Sequence, residues 1–231
     1  MAKLKWVLCG LSVFALLGCP RVNDPITGTP KFVAINFYDD TSAHVDLIKQ
    51  TAPETTIGSD LEFLEVSPIV EAEATSSQDF SLRLTGATTN LVTGNCSVSN
   101  YNVLIGYGND LTPKVMNRPL ISQEAPMVTV IDVNMIQTGN YDVYVTAPGT
   151  DLSTVSPDSR GLMKEGIETL TDALHVGANF QVTLCNSGTK TVVTTFNPVA
   201  SAAAGTNYVC VVGNVGAVVT KQQTEVQTVP L

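Results

Sequence analysis

Apolar and polar positions alternate with a period of two along much of the chain. Phe80, Leu82 and Leu84 are separated by Ser81 and Arg83; Phe180, Val182 and Leu184 are separated by Gln181 and Thr183. One apolar and one polar face is the pattern of a sandwich strand with one wet side. "LCNSGTKTVVTTF" reads as strand, Asn-Ser-Gly turn, strand. No long stretch shows helical periodicity, and Ser159–Leu174 holds the one weak candidate for a short helix. Thr, Val, Ser, Gly and Asn are abundant, as in strands and turns. The pattern predicts an all-β chain of immunoglobulin-like β-sandwich type, with about six or seven short strands per unit. The Cys–Trp–Cys core of antibody domains is missing, which leaves the topology open.

The chain is written twice. "VAINFY" (Val33–Tyr38) matches "IDVNMI" (Ile131–Ile136), pairing Asn36 with Asn134. "VDLIKQTAPET" matches "YDVYVTAPGT" after one gap, pairing Asp46 with Asp142. "FSLRL" matches "FQVTL", pairing Phe80 with Phe180, and "YGND" matches "VGNV", pairing Gly108 with Gly213. Four blocks in one order predict two tandem sandwiches, residues 31–121 and 127–220, joined near Ile121–Pro126 and followed by a tail at 221–231.

Ahead of the repeats, two lysines precede the apolar run Trp6–Leu17, which ends in Leu16-Leu17-Gly18-Cys19. Twelve helical residues rise about 18 Å, too short for a hydrocarbon core of about 30 Å, so the run reads as a secretory signal over residues 1–18. Its end resembles the bacterial lipoprotein box. That resemblance implies cleavage after Gly18, a diacylglycerol on Cys19 and acylation (palmitate or a similar chain) of the new amino end. Two or more chains give stable anchoring where one is marginal. The plain alternative is an ordinary signal with an incidental cysteine. Residues 19–30 carry Pro20, Pro25 and Pro30 and no apolar period, the composition of an extended tether. Pro20, rather than aspartate, follows the lipidated position, and the resemblance then implies the outer membrane of the cell envelope.

Removal of residues 1–18 leaves ten basic against 21 acidic side chains, a net charge of −11, with no basic cluster. A nucleic-acid partner is excluded on that ground. "HVDLIKQTAP" and "YDVYVTAPGTDL", each followed by a strand into Gly-Asn, make the repeats similar to a bacterial domain-of-unknown-function family. The resemblance implies secreted or lipid-anchored proteins with tandem Ig-like repeats, and it supplies no site residues.

Catalytic motifs are missing: no Gly-x-Ser-x-Gly, His-Glu-x-x-His, Cys-x-x-Cys or phosphate-binding loop occurs. The two histidines are His44 and His175. A triad of His175, Asp172 and a serine has nothing to fix its geometry, and no catalytic residue, cofactor or metal is expected. Asp39, Asp40 and His44 form the one cluster a metal-dependent or hydrolytic alternative could use, against a solvated turn as the plain reading. Of Cys96, Cys185 and Cys210, the pair Cys185–Cys210 is expected to be bridged because both lie on strands of one repeat. The second repeat is expected to carry a long loop, Gly149–Gly166, with Ser159, Arg160, exposed Leu162, exposed Met163 and Lys164 as a candidate binding surface. The function read from the sequence is a lipid-anchored envelope protein with a non-enzymatic binding, adhesion or assembly role, its partner an envelope protein or surface ligand. The alternatives are the hydrolytic envelope enzyme and a structural spacer without ligand.

Overall fold

A computed structural model describes residues 26–39, 43–121, 123–135 and 139–213, and the backbone of 224–230. The expected signal, Cys19 and most of the tether lie outside the described residues. The first half contains β1 (Lys31–Tyr38), β2 (Val45–Lys49), β3 (Thr55–Leu61), β4 (Val70–Glu71), β5 (Ser77–Leu84), β6 (Asn90–Ser97), β7 (Tyr101–Gly108) and β8 (Lys114–Pro119). The second contains β9 (Met127–Asp132), β10 (Tyr141–Thr146), β11 (Ser159–Leu162), β12 (Ile167–Leu170), β13 (Gln181–Asn186), β14 (Val192–Thr195), β15 (Thr206–Val212) and β16 (Thr224–Pro230).

Each half is a sandwich of two four-stranded sheets with one shared topology. The orders are β4-β1-β7-β8 over β3-β2-β5-β6, and β12-β9-β15-β16 over β11-β10-β13-β14. In each half one pair is parallel, β1 with β7 and β9 with β15, and every other pairing is antiparallel. The chain is all-β and immunoglobulin-like in architecture. The stretch expected as a tail includes β16, which pairs with β15 from Thr206↔Pro230 to Val212↔Thr224 and takes the place of β8.

Two cores fill the sandwiches. Phe32, Leu47, Phe80, Leu82 and Leu104 pack in the first, and Val130, Val143, Phe180, Leu184, Tyr208 and Cys210 in the second. A third cluster joins them: Val33, Ile35, Phe37, Val103, Ile105 and Tyr107 from one outer face meet Ile131, Val133, Val209 and Val211 from the other. The sheets carrying β1 and β9 therefore lie back to back, giving four layers. This is why β1, β7, β9 and β15 are apolar on both faces, whereas β5 and β13 alternate.

Hydrogen bonds set the register between the halves, and it departs from the sequence matches. Tyr38 N–H donates to Asn36 Oδ1 at 2.8 Å, and Asn134 N–H donates to Asp132 Oδ1 at 2.7 Å. Asn36 N–H donates to the Glu65 carbonyl and Asp132 N–H to that of Gly166. Asn36 thus corresponds to Asp132, two residues before Asn134. The hydroxyl pair Ser81–Thr93 recurs as Thr183–Thr195, which places Val182 rather than Phe180 opposite Phe80, although both phenylalanines are buried. Gly213 does not match Gly108. A Cβ on Gly213 would lie 2.7 Å from Phe37 Cδ1 in the seam, while one on Gly108 would strike the Thr112 carbonyl oxygen at 2.2 Å.

Candidate functional site

The direction of the four central strands gives the molecule two distinct ends. β1 and β7 run together from Lys31↔Tyr101 to Tyr38↔Gly108, and β9 and β15 from Asn207↔Met127 to Val212↔Asp132. Across the seam Phe37, near the end of β1, touches the position of Gly213 just past β15. At the opposite end Gln123 donates to the Thr171 carbonyl and Gly205 N–H to that of Glu124. The strands of both halves therefore finish at one end. The chain enters at the other, where Thr27 N–H and Lys31 N–H bond to Asn100.

The finishing end is made of short loops. In the β7–β8 hairpin, Asn109 Oδ1 accepts from Leu111 N–H, Thr112 N–H and the Thr112 hydroxyl, each at 3.0 Å. Tyr38 Oη donates to Asp110 Oδ1 at 2.5 Å. This bracing holds Leu111 outward, 91 % exposed. The positive φ of Gly108 and the carbonyl facing its missing Cβ leave room for no other residue at the start of the turn. Beside it, the β11–β12 turn exposes Met163 at 65 % and sends the Lys164 amine to the Met135 carbonyl. Glu165 accepts from Tyr107 at 3.0 Å and Lys114 at 2.5 Å, while its carbonyl accepts from Arg118 at 2.6 Å. Burial works against the Glu165 charge, yet the Lys114 and Tyr107 bonds hold its carboxyl below the ordinary range. The same burial, with the Glu165 charge, pushes the Tyr107 hydroxyl far up.

The loop expected over Gly149–Gly166 is not one loop. It contains a 3₁₀ turn, Leu152–Thr154, and then strand β11. Val45↔Leu61 in the first half corresponds to Tyr141↔Leu162 in the second, so the intervening chain is only five residues longer. No helix forms over Ser159–Leu174, because β11 and β12 occupy it. Of the candidate binding residues, Leu162 is buried in the second core at 4 % exposure and Ser159 is half-buried on β11; neither is presented as a loop residue. Arg160, Met163 and Lys164 are exposed. The extra residues fold over the outer sheet, where Lys190 donates to the Val155 carbonyl and sits 4.7 Å above the Tyr144 ring.

Asp46 and Asp142, which occur in both repeats, are structural. Asp46 Oδ1 accepts from Asp60 N–H and the Thr85 hydroxyl; Asp142 accepts from Gly161 N–H, the Ser187 hydroxyl and Gly188 N–H. His44 Nδ1 and Asp60 Oδ1 lie 2.8 Å apart at the surface, and the Asp60 hydrogen bond raises the imidazole above its usual value. Asp40 lies outside the described residues, and among those described no three His, Cys, Asp or Glu side chains gather as a metal site. His175 and Asp172 are exposed in the β12–β13 loop, with no hydrogen bond between them.

Cys96, Cys185 and Cys210 are free thiols. Cys210 on β15 points into the second core among Leu184 and Val182. Cys185 follows Leu184 on β13, in the facing sheet, and strand alternation turns it to the far side of that sheet. The expected Cys185–Cys210 bridge is thereby corrected: the facing sheets meet, but these two side chains point the same way along the stack rather than at each other.

The sequence carries a single signal for the braced Leu111, an apolar residue standing inside an Asn-Asp turn.

The fold defines the chain as a pair of β-sandwiches. No protein-family model matches it, and no curated protein does. Among solved structures it is similar to a family 26 carbohydrate-binding module from Eubacterium rectale, solved with maltoheptaose. That match has 12 % identity over 87 % of this chain and 97 % of the module, with a TM-score of 0.26. A protein from Bacteroides ovatus provisionally designated as a cell adhesion protein matches at 7 % identity, over 87 % of this chain and 96 % of its own, with a TM-score of 0.28. One from Bacteroides fragilis with the same designation matches at 10 %, over 88 % and 98 %, with a TM-score of 0.24. At these scores the likenesses carry no functional weight, and the fold rests on the strand pairing itself.

Proposed function

We propose that this is a lipid-anchored envelope protein, tethered through Cys19, that presents the Leu111–Met163 end to a non-enzymatic binding partner at the cell surface. The observation that carries the reading is the common direction of β1, β7, β9 and β15. The chain leaves the tether at Lys31, and all four strands finish at the opposite end, where two braced turns expose Leu111 and Met163. An anchor at one end turns the other outward, and apolar side chains held in water on braced turns favour contact with another molecule. The repeats run from residue 31 to 121 and from 127 to 230, with β16 (Thr224–Pro230) completing the second. The outer membrane is the assigned location, on the strength of the Leu-Gly-Cys signal followed by Pro20.

The test places a photoreactive residue at 111 or at 176 in the native lipoprotein in living cells. Val176, 61 % exposed in the β12–β13 loop at the tether end, is the matched control. Discrete crosslinked products from position 111 and none from 176 support the reading. Equal products from both, or products from 176 alone, reject the orientation. In parallel, Cys19→Ser should move the protein out of the membrane fraction; retention there, with no acyl mass on the wild-type amino end, rejects the anchor.

A further inference from the structure

The internal duplication supplies a built-in comparison for one buried group that the proposed binding role does not use. Asn36 and Asp132 hold equivalent places near the ends of β1 and β9, both with no exposure. Each Oδ1 accepts from the N–H two residues on, and each N–H donates into a turn whose preceding residue has positive φ, Leu64 or Glu165. The second polar atom differs. Asn36 Nδ2 donates to the Leu61 carbonyl at 3.0 Å, whereas Asp132 Oδ2 has no partner. Leu162 is the counterpart of Leu61.

We propose that Asp132 is a neutral carboxylic acid in the folded protein, a proton-operated latch beneath the β11–β12 turn, where its protonated Oδ2 takes the donor role of the Asn36 amide. An ionised carboxylate has only acceptors to offer, so a buried Oδ2 that no donor reaches is a costly charge. The groups that face it are Tyr141 from β10, Asn134 from the end of its own strand, and Lys164 and Glu165 from the turn; Val212 on β15 adds no charge. Burial raises the carboxyl to about 7, against the Asn134 N–H and the Lys164 charge, which lower it, and with the Glu165 charge, which adds to the rise. Tyr141 is itself raised, by burial and by the Asp132 charge, so it offers no compensating ionisation.

The direction of the pH effect follows. An unfolded aspartate releases its proton near pH 3.9, while the folded one holds it to about 7. Between those values the folded state binds more protons, so stability falls as pH rises and then levels off. Thermal unfolding of the full-length protein and of Asp132→Asn from about pH 4.5 to about pH 8 reads this directly. The variant should lose that share of the decline and be at least as stable as wild type at the upper end, with the two curves converging at the lower. Titration of the Asp132 carboxyl by ¹³C NMR in the wild-type protein decides independently, and decides alone if the variant fails to fold. A midpoint of about 6 or above supports the latch, whereas a midpoint below about 6, or a folded variant with an unchanged pH profile, overturns it.

Discussion

Tyr107 of the first sandwich donates its hydroxyl to Glu165 of the second at 3.0 Å, across the seam between their sheets. The Lys114 amine reaches the same carboxylate oxygen, so one acidic residue ties two side chains of the other half. Glu165 stands at the left-handed corner of the β11–β12 turn, and the bond therefore also fixes the turn that exposes Met163.

Glu165→Ala should cost about 1–2 kcal/mol, the low end of the range for hydrogen bonds to a charged group discounted for solvent screening, since the site is a third exposed. The carboxyl is depressed in the folded state, so its contribution is present above the unfolded value and lost as pH falls through the folded one. Urea unfolding at neutral pH and at about pH 3 checks this; the gap between wild type and variant should narrow at the lower pH. A gap of equal size at both would assign the effect to packing instead.

Asp142 is a pin between β11 and the β13–β14 turn. Burial opposes its charge, but Gly188 N–H, the Ser187 hydroxyl and Gly161 N–H hold the carboxyl below its usual value. Asp142→Ala should cost about 2–3 kcal/mol at neutral pH and less in acid, because protonation already removes part of what the pin supplies. Asp46→Ala, which leaves two donors rather than three without an acceptor, should cost less in the same denaturation experiment.

Cys185 and Cys210 should both map as free thiols under non-reducing conditions in protein taken from cells. Each is without exposure, so native protein should resist alkylation at both positions, and denatured protein should react fully. Burial raises the Cys210 thiol and slows it further. A Cys185–Cys210 peptide in the map would mean that the side chains of the two sheets are arranged differently from those seen here.

The strand type and the duplication were legible because they live in local pattern: period two in "FSLRL" and "FQVTL", and turn residues at Asn186–Gly188. Register was not, because residue identity is a poor proxy for role. Asn36 attracted Asn134, but the residue that repeats its backbone bonds is the near-isosteric Asp132. Phe80 attracted Phe180, although the hydroxyl pairs Ser81–Thr93 and Thr183–Thr195 set the frame two residues away. β11 leaves no mark in the sequence, because "SRGL" has four residues, one a glycine, and offers no period to count. The four-layer stack has a visible trace in the apolar runs "FVAI" of β1 and "YVCVV" of β15, since a strand buried on both faces has no polar side to alternate. Whether an outward Leu111 matters is a question of tertiary exposure, which no spacing encodes.

The seam itself gives the most demanding prediction, because it decides whether the two sandwiches unfold as one unit. Phe37 is buried between them, and its ring edge fills the space above Gly213 next to Val133. Phe37→Ala removes a large side chain from a closed interface and should cost about 3–5 kcal/mol. Gly213→Ala adds a methyl where Phe37 Cδ1 lies 2.7 Å and Val133 Cγ2 3.1 Å from the new carbon, so one sheet must shift; about 1–3 kcal/mol is expected. Both changes leave the inner cores around Phe80 and Phe180 intact. Calorimetry should therefore show one transition for the wild-type protein and two for Phe37→Ala, as each sandwich melts on its own core. If Phe37→Ala instead melts in one transition at the wild-type temperature, the seam contributes nothing to cooperativity and the halves are joined only by their linker.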